Sequence, residues 1–201
     1  HWGGSSSFSH DITKYVNDGK EHDLVVRVED DNRRGVQPKG KQSSLYQSHG
    51  CDYTRTTGIW QTVWMEPVDR LSIKSVYIIP DLDKSRFVVE PEFKNLEKGM
   101  KIETIVRDGS KVVAKSVENA TPQARIDLPV KNVKTWSPES PFLYDFEFNV
   151  YDKDGKKVDN IKSYAGMRKI HQEGDRLYLN NEPHFLRLVL DQGFYPDGIW
   201  T

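Results

Sequence analysis

The sequence predicts an all-β chain, and three observations carry that prediction. Apolar and polar residues alternate with a period of two in run after run. Clusters of Asn, Asp and Gly separate the runs. No segment sustains the 3.6-residue period of an amphipathic helix. Period-two alternation puts one row of side chains on a core and the other in water.

The elements follow in order. A Gly- and Ser-rich opening holds one candidate helical turn, Asp11 to Tyr15, with Asp11 placed to cap it. Leu24, Val26 and Val28 alternate with Val25, Arg27 and Glu29 as a first strand. An irregular stretch runs from Asp30 to Thr57, and then Trp60 and Trp64 share one strand face while Ile59, Val63 and Met65 share the other. Four further runs present core rows: Phe87, Val89 and Phe93; Met100, Ile102, Thr104 and Val106; Ala124, Ile126, Leu128 and Val130; Tyr144, Phe146, Phe148 and Val150. Asn17-Asp18-Gly19, Asp108-Gly109, Asp152 to Gly155 and Glu173-Gly174-Asp175 read as tight turns. A last hairpin sets Leu177–Leu179 against Phe185–Arg187, with its turn over Asn180 to Pro183.

The chain has 201 residues, 36% of them hydrophobic and 11% aromatic, enough to bury a core. Acids and bases nearly cancel to a net charge of -1, which argues against a nucleic-acid partner, since that would need a basic face. No run of apolar residues reaches the roughly 18 that a membrane helix needs. Cys51 is the single cysteine, so no intrachain disulfide forms. The chain opens on His1 without an initiator Met, which reads as a fragment or a processed piece.

Composition divides the chain into three regions. Residues 1–71 are rich in Gly, Ser, Gln and aromatics and offer only three or four strands, too few to close a sandwich. Residues 72–167 carry short strands at the even spacing of a β-sandwich. Residues 168–201 hold the hairpin and a Gly- and aromatic-rich tail.

Motifs for chemistry are sparse. The six histidines share no metal or catalytic spacing, and no nucleophile elbow or phosphate loop occurs. No pair of carboxylates stands out as a catalytic acid and nucleophile. Glu182, in the tempting dipeptide Asn181-Glu182, sits before Pro183 in a turn and reads as a solvated turn residue.

Four segments, in order, resemble glycoside hydrolase family 2, the family of β-galactosidases, β-glucuronidases and β-mannosidases. HWGGSSSFSHDIT at 1–13 looks like the later part of its sugar-binding jelly roll, and TRTTGIWQTVWMEP at 54–67 resembles that domain's closing strand. TWSPESPFLYDFEF at 135–148 is similar to a late strand of the central immunoglobulin-like domain. GMRKI at 166–170 and LYLNNEPHFLR at 177–187 look like the hairpin and first strand entering a (β/α)₈ barrel.

The resemblance implies a partial jelly roll over 1–71, an immunoglobulin-like sandwich over 72–167, and the entry to a truncated, missing catalytic barrel over 168–201. Both catalytic glutamates would then lie beyond Thr201. The parent would be a retaining exo-β-glycosidase on a carbohydrate substrate, and this chain alone would be inactive. Counting back six from Gly58, the resemblance makes Asp52 a ligand for hydroxyls of the terminal sugar. It implies no cofactor beyond a monovalent cation near that Asp in the full-length parent. At the barrel entry Leu186 and Arg187 keep the family pattern, but Leu188, Leu190 and Gln192 replace its Gly, Asn and His. Asp191, Gln192 and Tyr195 become candidate pocket residues on that basis. No membrane partner is implied, a homo-oligomer is compatible, and the compartment stays open.

Two other classes compete. A stand-alone carbohydrate-binding module would bind sugar through exposed Trp60 or Trp64, and an immunoglobulin-like interaction module would not bind it. Exposure of Phe185, Leu186, Val189 and Leu190 would favour a lost partner domain; burial would favour a self-contained module.

Overall fold

The computed structural model describes residues 1–4, 6–31 and 33–191. The described residues form two compact units, one of 1–65 with 188–191 and one of Glu66–Arg187.

The second unit is an antiparallel sandwich. Its strands are β1 (Ile73–Asp81), β2 (Arg86–Phe93), β3 (Lys101–Asp108), β4 (Lys111–Asn119), β5 (Ile126–Pro129), β6 (Tyr144–Tyr151) and β7 (Lys157–Ala165). One sheet has the order β1-β2-β5 and the other β4-β3-β6-β7. Seven short strands split three and four match an immunoglobulin-like sandwich. The period-two rows supply the core: Phe87, Val89, Met100, Ile102, Val106, Ile126, Leu128, Val130, Tyr144, Phe146, Phe148 and Val150 are all buried in one cluster. Phe87 stands edge-on to Tyr144 and Phe146, with centroids 5.4 and 5.0 Å away. That geometry sets ring edges against ring faces and adds to what burial contributes.

The unit closes with a three-stranded sheet of β8 (Ile170–Glu173), β9 (Arg176–Leu179) and β10 (Glu182–Pro183). Here the expected hairpin changes. β9 turns back through Asn180 and Asn181 alone, both left-handed with φ of 55° and 69°, so Glu182 pairs with Leu179. A two-residue turn with both central φ positive matches the twist of the strands, and Asn tolerates it well. The returning strand is therefore Glu182–Pro183, and Phe185–Arg187 carries no strand. Glu182 is exposed at the turn, as read from the sequence. The Asn180 side chain donates to the Trp136 carbonyl (2.9 Å) and accepts from the Lys169 N–H (3.1 Å).

The first unit departs further from expectation. Among its described residues there is a single short helix, α1 (Thr13–Val16), and no strand. Asp11 accepts from the Thr13 N–H at 2.9 Å, but the N-cap position belongs to Ile12. The rows expected to make strands, Leu24 to Val28 and Ile59 to Met65, are exposed, with Val25 at 87% and Trp64 at 71%. A strand needs a partner for its backbone N–H and C=O groups. Among the described residues no ladder forms on either segment, so alternation alone does not make them strands.

Candidate functional site

Asp52 lies in a compact loop built by backbone pairing. His49 and Asp52 exchange N–H···O bonds of 3.1 and 2.8 Å across a turn whose first central residue, Gly50, has φ of 53°. Glycine takes that conformation without the Cβ penalty. Tyr53 pairs with Gln42, its N–H reaching the Lys41 carbonyl and its carbonyl the Ser43 N–H, each at 2.7 Å. The turn is thereby held against residues 41–43.

Ser43 is the hub of the loop and is fully buried. Its hydroxyl donates to the Gln47 carbonyl at 2.8 Å and accepts from the Leu45 N–H at 3.0 Å. The His49 Nδ1 lies 3.0 Å away. With the one hydroxyl proton directed at Gln47, His49 Nδ1 is the donor in that contact. The opposite ring nitrogen, Nε2, stands 3.6 Å from Asp52 Oδ2, and Lys39 Nζ stands 3.5 Å from the same oxygen. Asp52 is half-buried. Oδ2 thus accepts from the Lys39 ammonium and lies beside His49 Nε2, while Oδ1 makes no hydrogen bond among the described residues.

The Ser43, His49 and Asp52 set is not a catalytic triad. In a triad the nucleophile meets Nε2 and the carboxylate meets Nδ1, and here the two are reversed. A fully buried hydroxyl also cannot reach a substrate. The set holds Asp52 in place.

The other candidates lie apart. Asp191 is exposed and is not among the partners of Asp52. Gln192 and Tyr195 fall outside the described residues. Trp60 is tied by its indole N–H to the Gly4 carbonyl at 2.8 Å, while Trp64 is exposed. Cys51 is an exposed free thiol. Among the described residues no group of three or more His, Cys, Asp or Glu side chains could hold a metal, and no helix is long and apolar enough to cross a membrane. Sequence reading missed the roles of Lys39, Ser43 and His49. Only the Gly50 turn between His49 and Asp52 hinted that those two side chains would meet.

The sequence model described as Glycosyl hydrolases family 2 matches residues 71–168, the whole sandwich. That span of the chain matches the family. Among curated relatives, the chain is 28% identical to a β-galactosidase of Thermoanaerobacter pseudethanolicus, over 93% of this chain and 25% of that protein. It is 23% identical to a β-glucuronidase of Bacteroides fragilis, over 92% of this chain and 28% of that protein. The chain therefore spans about a quarter of the length of these curated relatives. The solved structure of a β-D-glucuronidase of Dictyoglomus thermophilum aligns with a TM-score of 0.48 and 26% identity, over 59% of this chain and 19% of that one.

Proposed function

We propose that these residues are the non-catalytic front portion of a retaining exo-β-glycosidase, and that Asp52 grips the terminal sugar. The carrying observation is the split environment of its carboxylate. Oδ2 is held by Lys39 with His49 packed beside it, and Oδ1 is left to accept hydrogen bonds from sugar hydroxyls. A fixed ligand is what a pocket needs, because orienting the terminal sugar lowers the entropic part of the barrier. The named activities of the relatives, β-galactosidase and β-glucuronidase, support a β-linked carbohydrate substrate.

In this reading hydrolysis belongs to the whole protein. One carboxyl acid protonates the leaving oxygen, and a second carboxylate forms the glycosyl-enzyme intermediate that water then cleaves. Both groups are supplied by a barrel outside the 201 residues. The solvent exposure of Phe185, Val189 and Leu190, at 83%, 91% and 86%, supports a further domain that covers them. A monovalent cation at Asp52 fits poorly, because the Lys39 ammonium already faces Oδ2. No step of the proposal runs through one. The near-neutral charge agrees with a sugar partner and not a nucleic acid.

The test is an assay on nitrophenyl β-galactoside and β-glucuronide, with the 201-residue chain beside the whole protein. The expected result is activity in the whole protein only, and a rise in KM of about tenfold or more for Asp52→Ala. Turnover by the 201-residue chain would overturn the reading. So would a whole-protein Asp52→Ala variant with unchanged KM.

A further inference from the structure

We propose a second carbohydrate-binding site, on the outer face of the β1-β2-β5 sheet and centred on Tyr77. A groove of about 450 Å³ runs there, lined by Ser75, Tyr77, Glu90, Gln123 and Arg125 among others. The strand register builds it. Tyr77 on β1 pairs with Glu90 on β2, and Ser75 with Glu92, so these four side chains rise from one face. The segment Pro122 to Arg125, just before β5, forms the opposite wall.

The chemistry of this lining selects its ligand. Tyr77 is 65% exposed although it sits mid-strand, and its ring has no aromatic partner among the described residues. Neither its hydroxyl nor the Gln123 amide makes a hydrogen bond among the described residues. Across the groove Arg125 and Glu90 are joined as an ion pair, which orders a donor fork beside an acceptor carboxylate. The volume lies within the roughly 300–1,000 Å³ of small-molecule clefts.

Alternatives fit badly. Glu90 is paired with Arg125 and Glu92 with Lys74, so no cation is left over for a phosphate or a nucleic acid. Charged and amide groups interrupt the apolar lining of Pro91, Pro122 and Ala124, which suits a lipid chain or the apolar face of a helix poorly. A pyranose fits every element. Its C–H face lies on the Tyr77 ring, and its hydroxyls, each both donor and acceptor, meet Glu90, Arg125 and Gln123. This site shares no residue with the Asp52 loop. It would hold a sugar chain without cleaving it.

The experiment is an amide-resolved NMR titration of the 201-residue chain with lactose and with cellobiose. Saturable shifts are expected at Tyr77, Glu90, Gln123 and Arg125, with a Kd in the millimolar range, on the order of 1–10 mM. Tyr77→Ala should weaken binding about tenfold, and Tyr77→Phe should leave it within about twofold, because the ring face is what the sugar uses. Tyr77 is exposed, so the variant keeps its fold, and the same spectra display that. Three outcomes would overturn the proposal: no shift with either sugar, shifts confined to residues 39–65, or a Tyr77→Ala variant that binds as before. Shifts confined to residues 39–65 would leave the Asp52 reading standing while removing this one.

Discussion

The hydroxyl of Tyr144 accepts a hydrogen bond from the backbone N–H of Lys134 at 2.8 Å. Tyr144 opens β6 and is buried, so the bond pins the crossing between the two sheets to the strand that follows it. This is the arrangement of a tyrosine corner in immunoglobulin-like sandwiches.

Tyr144→Phe keeps the ring and its contact with Phe87 but removes the acceptor for Lys134. An amide left without a partner costs about 1–3 kcal/mol. Urea unfolding of the variant should show that loss, with a slope against denaturant equal to the parent's.

The β9–β10 turn separates two asparagines that look alike in sequence. Asn180→Ala loses bonds to Trp136 and Lys169 and places an alanine at positive φ, so a loss of about 2–3 kcal/mol is expected. Asn181→Gly relieves a positive φ and forfeits only an exposed contact to Asp83. It should be neutral or slightly stabilising. Thermal melts of the pair would settle the contrast; equal losses would contradict it.

Gly166 is required for space, not for backbone freedom. A Cβ there would meet the Trp136 Cβ at 2.9 Å and its Cγ at 3.1 Å. Gly166→Ala should displace the Trp136 ring from beneath Arg168 and cost about 1–3 kcal/mol. A shifted tryptophan emission maximum would report the displacement.

Acid should weaken the sandwich through Glu103. The Lys115 ammonium, bonded to its carboxylate at 2.6 Å, holds Glu103 below its ordinary value of 4.5, against a smaller opposing effect of burial; Tyr151 and Asn149 add hydrogen bonds. A lowered carboxylate contributes stability above its unfolded value and loses it as pH falls through the folded one. Lys115 is raised above 10.5 chiefly by the hydrogen bond to Glu103, so its share is complete below 10.5 and fades as pH climbs past. Unfolding midpoints should therefore fall as pH drops below about 4.5, and Glu103→Gln should flatten that decline.

The sandwich was legible in the sequence because its rows of Met100 to Val106 and Tyr144 to Val150 are buried where the period of two says. Period and burial agree when each strand has neighbours on both sides, as β3 and β6 do. Leu24 to Val28 shows the same alternation without a paired ladder, and alternation cannot report whether a partner is at hand. Asp52 was reached through the family resemblance, counting back from Gly58, and its anchoring was not legible: that depends on Ser43 and Lys39, nine and thirteen positions earlier, brought near by the Gln42–Tyr53 bridge. No local pattern encodes that approach.

The bond from Asn180 to the Trp136 carbonyl also sets an order of events in time. It closes a separation of 44 residues, an entropically slow closure in an open chain. Pairing of β6 with β7 brings Tyr144 beside Ala165 and shortens that path to a few residues at each end. The β8–β10 sheet is therefore expected to dock late, after the sandwich has zipped. A chain stalled before that step would display its edges first at β8 to β10, where proteases and neighbouring strands would find it.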